Sequence, residues 1–286
     1  MHTYLSLRNG AMRCEIIPAL GGCIAGWWCG KEPVLQSTPA HLLQSVRQAA
    51  SFALVPFSNR IGNAQMHWQG HDYMITQNFA PEPHAIHGLG WERPWRVKES
   101  SDAQAVLDLD HTADAAWPFS FAAQQTLTLH PGALHMALQI TNQSAHAAPV
   151  GLGWHPYFVK RPGATLAFNC TAKWEMGADQ LPTHRTEVQS VQQTCDQLHI
   201  DHCFEGWQGH AVLQDAVHRC SISADMCRLV AYTHPELGAI AIEPVSHVNN
   251  ALQLANENTS LAQLGVQTLQ PGETFACAMQ IAVEAQ

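Results

Sequence analysis

Apolar and polar residues alternate with a period of two along most of this 286-residue chain. In the segment FAAQQTLTLHPGALHMALQIT, apolar side chains alternate with polar or small ones on both sides of Pro131-Gly132: Leu127 and Leu129 before it, and Leu134, Met136, Leu138 and Ile140 after it. Such alternation around a turn dipeptide predicts a β-hairpin with one buried face. The segment MHWQGHDYMIT repeats the pattern around Gln69-Gly70, and a further alternating strand follows Pro271-Gly272.

Patterns with the 3.6-residue period of an amphipathic helix are scarce. The best candidates, HLLQSVRQAA and DQLHIDH, are short. No linker, repeat or low-complexity tract divides the chain, and the Gln-rich span 180–197 is typical of a long surface loop. The sequence therefore predicts an all-β fold, a large antiparallel β-sandwich with few short helices, in which residues 1–286 form a single domain.

The composition narrows the possible partners and location. The chain has 14 Lys and Arg against 23 Asp and Glu, a formal net charge of -9. A negative surface repels phosphate groups, so we expect neither a nucleic acid nor a membrane as partner. The start MHTYLSLRNG lacks a signal-peptide pattern, and no apolar run reaches the ~18 residues of a membrane helix. Nine Cys without a C-x-x-C pair favour reduced thiols and a cytoplasmic location.

Two predicted strands end in a titratable side chain. In GLGWHPYF, one face carries two glycines and then His155, and Pro156 follows. In AIAIEPV, one face carries two alanines and then Glu243, and Pro244 follows. We expect the small residues to leave a concavity that a ligand can enter, and each proline to end the strand pairing. A carboxylate and an imidazole in one pocket can act as general base and general acid. The alternative is that His155 caps a strand and Glu243 lies on a solvated face.

Further polar residues have both a structural and a functional interpretation. His84 and His87 are spaced as half of a metal site, but on a strand they would face opposite ways, and no third ligand is suggested. Metal binding is therefore not predicted; a His-rich loop with Trp91 and Trp95 in the core is the structural alternative. The pair His87-Gly88 indicates a polar side chain beside a closely approaching backbone.

Two other segments offer candidate ligands of a substrate. In PFSNRIG, Asn59 and Arg60 follow an apolar run. An Arg in this position is usually at the surface, or its guanidinium binds hydroxyl or anionic oxygens. In IDHCFEGW, Asp201 falls in a polar loop, where Asp is most often a turn former.

Taken in order, five of these segments resemble the aldose 1-epimerase (galactose mutarotase) family. They are PFSNRIG, HAIHGLGW, GLGWHPYF, IDHCFEGW and AIEPVSHVNNA. The resemblance implies a galactose mutarotase-like supersandwich, a sugar-binding cleft across one sheet, and no metal or organic cofactor. By motif position, Glu243 would be the base for the anomeric hydroxyl and His155 the acid for the ring oxygen. His87 would assist near that oxygen, and the other predicted substrate-binding residues are Asn59, Arg60 and Asp201.

The resemblance further implies an isomerase that interconverts the α and β anomers of a free monosaccharide. We expect the protein to be a monomer or homodimer. Departures from the family pattern at Leu89-Gly90, Val159-Lys160 and VSHVNNA concern the identity of the sugar. One alternative is a hexose-phosphate or other anionic-sugar epimerase, for which Arg47, Lys160 and Arg161 are candidate ligands if they are not merely solvated. The other is a non-catalytic sugar-binding protein on the same fold, which would need neither an acid nor a base.

Overall fold

The structure is a computed structural model that describes residues 2–234 and 237–286. Most of the chain forms antiparallel β-strands. In chain order these are β1 (Leu5–Asn9), β2 (Met12–Ile17), β3 (Cys23–Cys29), β4 (Glu32–Pro33), β5 (Ala53–Leu54), β6 (Arg60–Ile61), β7 (Gln65–Trp68), β8 (His71–Met74), β9 (Ala85–Ile86), β10 (Arg96–Ser100), β11 (Gln104–His111), β12 (Phe121–His130), β13 (Ala133–Asn142), β14 (Ala148–Val150), β15 (Gly153–Trp154), β16 (Tyr157–Val159), β17 (Thr165–Asn169), β18 (Ala172–Met176), β19 (Pro182–Glu187), β20 (Ser190–Thr194), β21 (Asp201–Glu205), β22 (His210–Gln214), β23 (His218–Ala224), β24 (Arg228–Thr233), β25 (Ala239–Val245), β26 (Gln267–Leu269) and β27 (Thr274–Ala285).

Helical structure is confined to short turns in the described parts of the chain. They contain the α-helix α1 (Ala251–Leu254) and 3₁₀ turns at Val46–Gln48, Gly62–Ala64 and Cys195–Gln197. The two segments predicted as short helices thus form only a single 3₁₀ turn each. No helix within these ranges is long and apolar enough to cross a membrane.

The strands form two large sheets and several small ones. The nine-stranded sheet has the order β10-β11-β12-β13-β27-β23-β22-β17-β20. The eight-stranded sheet has the order β19-β18-β21-β24-β25-β15-β5, and β16 also pairs with β25. Strands β1 to β4 form a four-stranded sheet, and β14–β26, β6–β9 and β7–β8 form pairs.

The predicted hairpins are confirmed. Strands β12 and β13 pair in continuous register from Phe121↔Asn142 to His130↔Ala133. Strands β7 and β8 are joined by Gln69 and Gly70 alone, with φ of 47° and 81°. Positive φ at both central residues is the geometry of the type I′ turn, which matches the twist of the strands it connects.

The two large sheets contribute to one hydrophobic core, which confirms the predicted antiparallel β-sandwich. Leu127 and Met136 of the nine-stranded sheet and Ile240 and Ile242 of β25 belong to this core. Because side chains alternate along a strand, Glu243 lies on the opposite face of β25. The eight-stranded sheet thus uses one face for the core and the other for the cavity described below.

The prediction of a long surface loop over residues 180–197 is wrong. Strand β19 forms one edge of the eight-stranded sheet and β20 one edge of the nine-stranded sheet. Most of their side chains are exposed or half-buried. An edge strand with little burial on either face lacks the apolar alternation by which strands are recognised in a sequence.

Candidate active site

His155 and Glu243 lie opposite each other on neighbouring strand segments. Gly153 of β15 pairs with Val245, and Tyr157 of β16 pairs with Ala241 on the same strand, β25. This register places His155 across from Glu243. Cross-strand neighbours point to the same face of a sheet, so both side chains enter the same space.

Pro156 interrupts its strand between β15 and β16, but Pro244, contrary to the sequence-based expectation, does not end the pairing of β25. Strand β25 continues through Pro244, which pairs with Leu229. The Ile242 N–H donates to the Pro156 carbonyl (3.3 Å), and the Ser246 N–H donates to the Leu152 carbonyl (2.8 Å). Pro244 removes only the backbone donor between these two hydrogen bonds. The ladder on both sides therefore holds the two segments together.

The space that His155 and Glu243 enter is a cavity of about 400 Å³. Its size falls in the usual range for small-molecule sites, and its lining mixes aromatic with polar side chains. All six predicted site residues contribute to it. The lining consists of Arg47, Phe52, Asn59, Arg60, Phe79, Glu82, Ile86, His87, Trp91, His155, Tyr157, Gln180, Asp201, Tyr232, His234 and Glu243.

A row of cross-strand neighbours forms the floor of the cavity. Asp201 pairs with Tyr232, Tyr232 with Ala241, and Ala241 with Tyr157. Asp201 is therefore the first residue of strand β21 and not part of a polar loop, because its backbone pairs with β24. Burial raises the pKa of the Asp201 carboxyl, and the nearby charge of Arg60 opposes this shift.

The catalytic candidates are in direct contact and almost fully buried. His155 Nε2 lies 3.4 Å from Glu243 Oε1, and the residues are 5% and 1% exposed. Desolvation raises the pKa of Glu243 well above its usual value, and the charge of Asp201 raises it further. Desolvation lowers the pKa of His155 to about 3. Burial thus favours a pair that holds one proton and no net charge.

Aromatic side chains hold the ring of His155. Its centroid lies 4.9 Å from that of Phe52 and 4.4 Å from that of Tyr157. His155 Nδ1 and Glu243 Oε2 are buried and have no hydrogen-bond partner among the described residues. Buried polar atoms without partners are uncommon in folded proteins, and here they flank a cavity that a polar ligand can enter.

His87 and Asn59 fix each other through their backbones. The His87 N–H donates to the Asn59 carbonyl (2.8 Å), and the Asn59 N–H donates to His87 Nδ1 (3.3 Å). Since Nδ1 accepts this bond, the proton of the neutral ring is on Nε2, where it can be donated. Desolvation, and then the charges of His155 and Arg60, keep the pKa of His87 well below its usual value.

The predicted close backbone approach beside His87 is present. Gly88 has φ of 70°, and a Cβ there would overlap the carbonyl group of Val55. The Val55 carbonyl accepts hydrogen bonds from the N–H groups of Leu89 (2.7 Å) and Gly90 (3.0 Å). Glycine is required here because this tight contact leaves no space for a side chain.

The guanidinium of Arg60 is already engaged by a carboxylate. Its Nε donates to Glu82 Oε2 (2.7 Å) and its Nη2 to Glu82 Oε1 (3.0 Å). A two-pronged pair of this kind fixes the orientation of both side chains. Arg60 therefore meets a ligand as part of an Arg60–Glu82 unit that presents both donors and acceptors.

The glycines of GLGWHPYF do not open space for a ligand, contrary to the sequence-based interpretation. A Cβ at Gly151 would overlap the imidazole of His247, and one at Gly153 would lie 2.7 Å from the Pro244 carbonyl oxygen. Neither glycine lines the cavity. The alanine beside Glu243 is also covered, since its register partners Tyr157 and Tyr232 flank it. The small residues permit close packing inside the protein.

Replacing Gly151 with alanine is therefore expected to destabilise the fold. His247 Nε2 accepts a hydrogen bond from the Ser58 N–H (3.0 Å), so the ring cannot move without losing it. Overpacking of this kind costs about 1–3 kcal/mol in the free energy of unfolding, which urea titration measures. In a His247→Ala background, the cost of Gly151→Ala should nearly vanish. A full cost in both backgrounds would contradict the proposed contact.

The remaining polar candidates serve structural purposes elsewhere. His84 Nδ1 accepts from the Asn63 N–H (3.0 Å), and its Nε2 bonds the Asp179 carbonyl (2.9 Å). Arg161 pairs with Asp215 (3.1 Å), and neither Arg161 nor Lys160 lines the cavity. In residues 2–234 and 237–286, no group of three or more His, Cys, Asp and Glu side chains could hold a metal ion.

Several cavity residues were not among the sequence-based candidates. Tyr157 had a usable signal, because it lies two positions after His155 on a strand and therefore on the same face. Tyr232 and Glu82 could not be recognised from the sequence. The position of Tyr232 depends on the pairing of β24 with β21 and β25, and that of Glu82 depends on its ion pair with Arg60. Distant contacts of this kind leave no local pattern in one sequence.

Comparison with known proteins agrees with this architecture. A family model described as aldose 1-epimerase matches residues 3–282. The uncharacterized protein YphB of Escherichia coli K12 is 26% identical over 301 residues, with 99% of each chain covered. A crystal structure of a candidate aldose 1-epimerase from Escherichia coli K12 superposes with a TM-score of 0.87 at 23% identity, covering 99% of both chains. An aldose epimerase homologue from C. elegans gives 0.83 at 17% identity, covering 100% of this chain and 99% of the other.

Proposed function

The chain belongs to the aldose 1-epimerase family, and from that premise we propose that it is a mutarotase, an isomerase that interconverts the α and β anomers of an aldose. Its substrate is a monosaccharide bound in the cavity beside His155 and Glu243. We further propose that it needs no metal or organic cofactor, that residues 1–286 act as one domain, and that it works in the cytoplasm, where its nine cysteines, all free, would stay reduced.

The reaction requires one proton to be removed and one to be supplied at two oxygens of the same carbon. Glu243, in its ionised form, accepts the proton of the anomeric hydroxyl while the bond between C1 and the ring oxygen breaks. His155, in its protonated form, donates its proton to the ring oxygen. The open-chain aldehyde rotates about the bond between C1 and C2. As the ring closes on the other face, His155 takes its proton back from the former ring oxygen, and Glu243 returns its proton to the aldehyde oxygen, which becomes the anomeric hydroxyl again.

The placement of the other residues fits this division of roles. His87 Nε2 offers a hydrogen bond near the ring oxygen, because its Nδ1 is occupied by the Asn59 N–H. The Arg60–Glu82 unit and the carboxylate of Asp201 can bind sugar hydroxyls, which both donate and accept hydrogen bonds. Asn59 also lines the cavity.

The contact between His155 and Glu243 carries the proposal. Two ionisable side chains, 3.4 Å apart and nearly without solvent exposure, oppose each other in a cavity of sugar-binding size. Burial of polar atoms without partners costs stability, so their retention favours a role in chemistry. A protein that only binds sugar needs no such pair, which argues against the non-catalytic alternative.

Anomer exchange measured by NMR on several aldoses, with and without the protein, tests the function directly. We expect faster exchange for at least one aldose at micromolar protein, with no consumption of sugar and no added metal. Exchange at the uncatalysed rate for every aldose would refute the proposed activity.

The pH dependence of the catalysed rate should reflect the pair and not two independent groups. The active form holds one proton, and burial opposes both the gain of a second proton by His155 and the loss of the last one from Glu243. With the pKa of His155 lowered to about 3 and that of Glu243 raised, kcat should therefore stay level as the pH falls from the raised pKa of the pair through about 4.5. A rate that halves near pH 4.5 on the acid side, as for an ordinary carboxylate base, would contradict this. Circular dichroism defines the pH range in which the protein stays folded.

A further inference from the structure

The cavity contains two arginines in different states. Arg60 is bound on two nitrogens by Glu82, which balances its charge. Arg47 belongs to the 3₁₀ turn Val46–Gln48 and lines the exposed edge of the cavity. Its guanidinium carbon lies 4.2 Å from the centroid of the Phe79 ring. In the described parts of the chain, the Arg47 guanidinium has no ion pair or hydrogen bond to another side chain.

The charge of Arg47 is not neutralised by any described carboxylate in contact with its guanidinium. The charge of Arg47 lowers the pKa of Glu92, but burial of that carboxyl is the larger influence and raises its pKa. Deeper in the cavity, burial raises the pKa of Glu243 and so opposes a negative charge on that carboxyl group. The remaining carboxylates, Glu82 and Asp201, lie near Arg60. Arg47 is thus a cation whose charge is not matched by a carboxylate contact.

An aromatic wall separates Arg47 from the catalytic pair. From the edge inward, the ring centroids of Phe79 and Trp91 are 6.3 Å apart, and those of Trp91 and Phe52 are 5.5 Å apart. Phe52 then contacts His155 at 4.9 Å. This wall thus offers a path along which a sugar whose anomeric carbon meets His155 can extend a substituent on a distant carbon toward Arg47.

Resting on the proposed mutarotase activity, we infer that the preferred substrate is an aldose with an acidic substituent remote from its anomeric carbon, and that Arg47 binds this substituent. Stacking on Phe79 restricts the guanidinium and leaves its N–H donors free. Paired donors of this type match the oxygens of a carboxylate, phosphate or sulfonate. Of the three basic residues considered for an anionic sugar, only Arg47 lines the cavity.

The test compares D-glucose with D-glucuronate and D-glucose 6-phosphate, using the catalysed part of the NMR exchange rate. For wild type we expect kcat/KM to be at least about tenfold higher for one of the two acidic sugars, and the preferred one identifies the oxyanion. Arg47→Gln should reduce this preference about tenfold, through KM and with little change in kcat for the acidic sugar. Arg47→Lys, which keeps the charge but loses the paired donors, should retain part of the preference.

Arg96→Gln is the matched control. Arg96 is also an exposed arginine, but it pairs with Asp108 (3.1 Å) on strands β10 and β11, away from the cavity. We expect it to leave the acidic-to-neutral ratio unchanged. Equal rates for neutral and acidic sugars, or a preference that survives Arg47→Gln, would overturn this inference while leaving mutarotase activity intact. No acceleration of any aldose would instead refute the proposed function itself.

Discussion

Replacing Glu243 with glutamine is expected to lower the kcat of anomer exchange by about 10²- to 10⁴-fold, while sugar binding stays detectable. The amide keeps the size of the carboxyl group and its place opposite His155, but it cannot accept the proton of the anomeric hydroxyl. The rate loss is measured by NMR exchange at saturating sugar, and binding is measured separately by calorimetry.

Two comparisons separate loss of chemistry from loss of structure. Glu284→Gln makes the same substitution at an exposed position of β27 and should leave the rate unchanged. Burial raises the pKa of Glu243 above its value in the unfolded chain, so its carboxyl stabilises the fold less as pH rises above about 4.5. Glu243→Gln should therefore unfold at neutral pH no more easily than wild type. A variant as active as wild type would remove Glu243 from the mechanism.

Replacing His155 with asparagine should lower kcat by a similar factor, about 10²- to 10⁴-fold. Asparagine retains a polar side chain in the cavity but has no titratable proton for the ring oxygen. Without His155, only Glu243 can hold the proton that the pair shares in wild type. The rate of the variant should therefore vary with pH in the range where the wild-type rate is level. The measurement is kcat for anomer exchange as a function of pH.

His218→Asn provides a closely matched control for this substitution. His218 is also a buried histidine, 3% exposed, and its Nδ1 likewise has no hydrogen-bond partner among the described residues. Desolvation lowers the pKa of His218 as it does for His155. Because His218 does not line the cavity, its replacement should affect unfolding and not the rate. Equal rate losses in both variants would indicate a structural role for His155.

The sequence was informative about strands that have one buried face. The alternation around Pro131-Gly132 and Gln69-Gly70 gave the correct hairpins, because apolar periodicity and turn residues are local properties. The segments around His155 and Glu243 could be singled out for the same reason. The repeated pattern of small residues before each titratable group suggested a shared site, and the resemblance of five motifs to a known family supported it. The register that brings the two groups together could not be derived from alternation.

The errors have a common physical origin. The glycines near His155 were interpreted as space for a ligand, whereas Gly151 accommodates His247, a contact across 96 positions of the chain. Pro244 was expected to end a strand, yet its partner segments pair on both sides of the missing donor. Glu82 escaped notice because its role depends on Arg60. Local patterns show which residues are unusual, but tertiary contacts decide the reason.

The pairing of β15 and β16 with a single strand, β25, has a consequence for sequence change in this family. The spacing between acid and base is set by the ladder and is independent of the connecting segments. Insertions in the loops between Val159 and Ala239 can therefore accumulate without separating the two groups, provided that the strands in this span keep their pairing. Deletion of Pro156, one of the two residues between Trp154 and Tyr157, would instead shift β16 by one position and turn Tyr157 away from the cavity. Loop length is thus free to vary in evolution and in engineering, whereas the length of this two-residue bridge, His155-Pro156, is not.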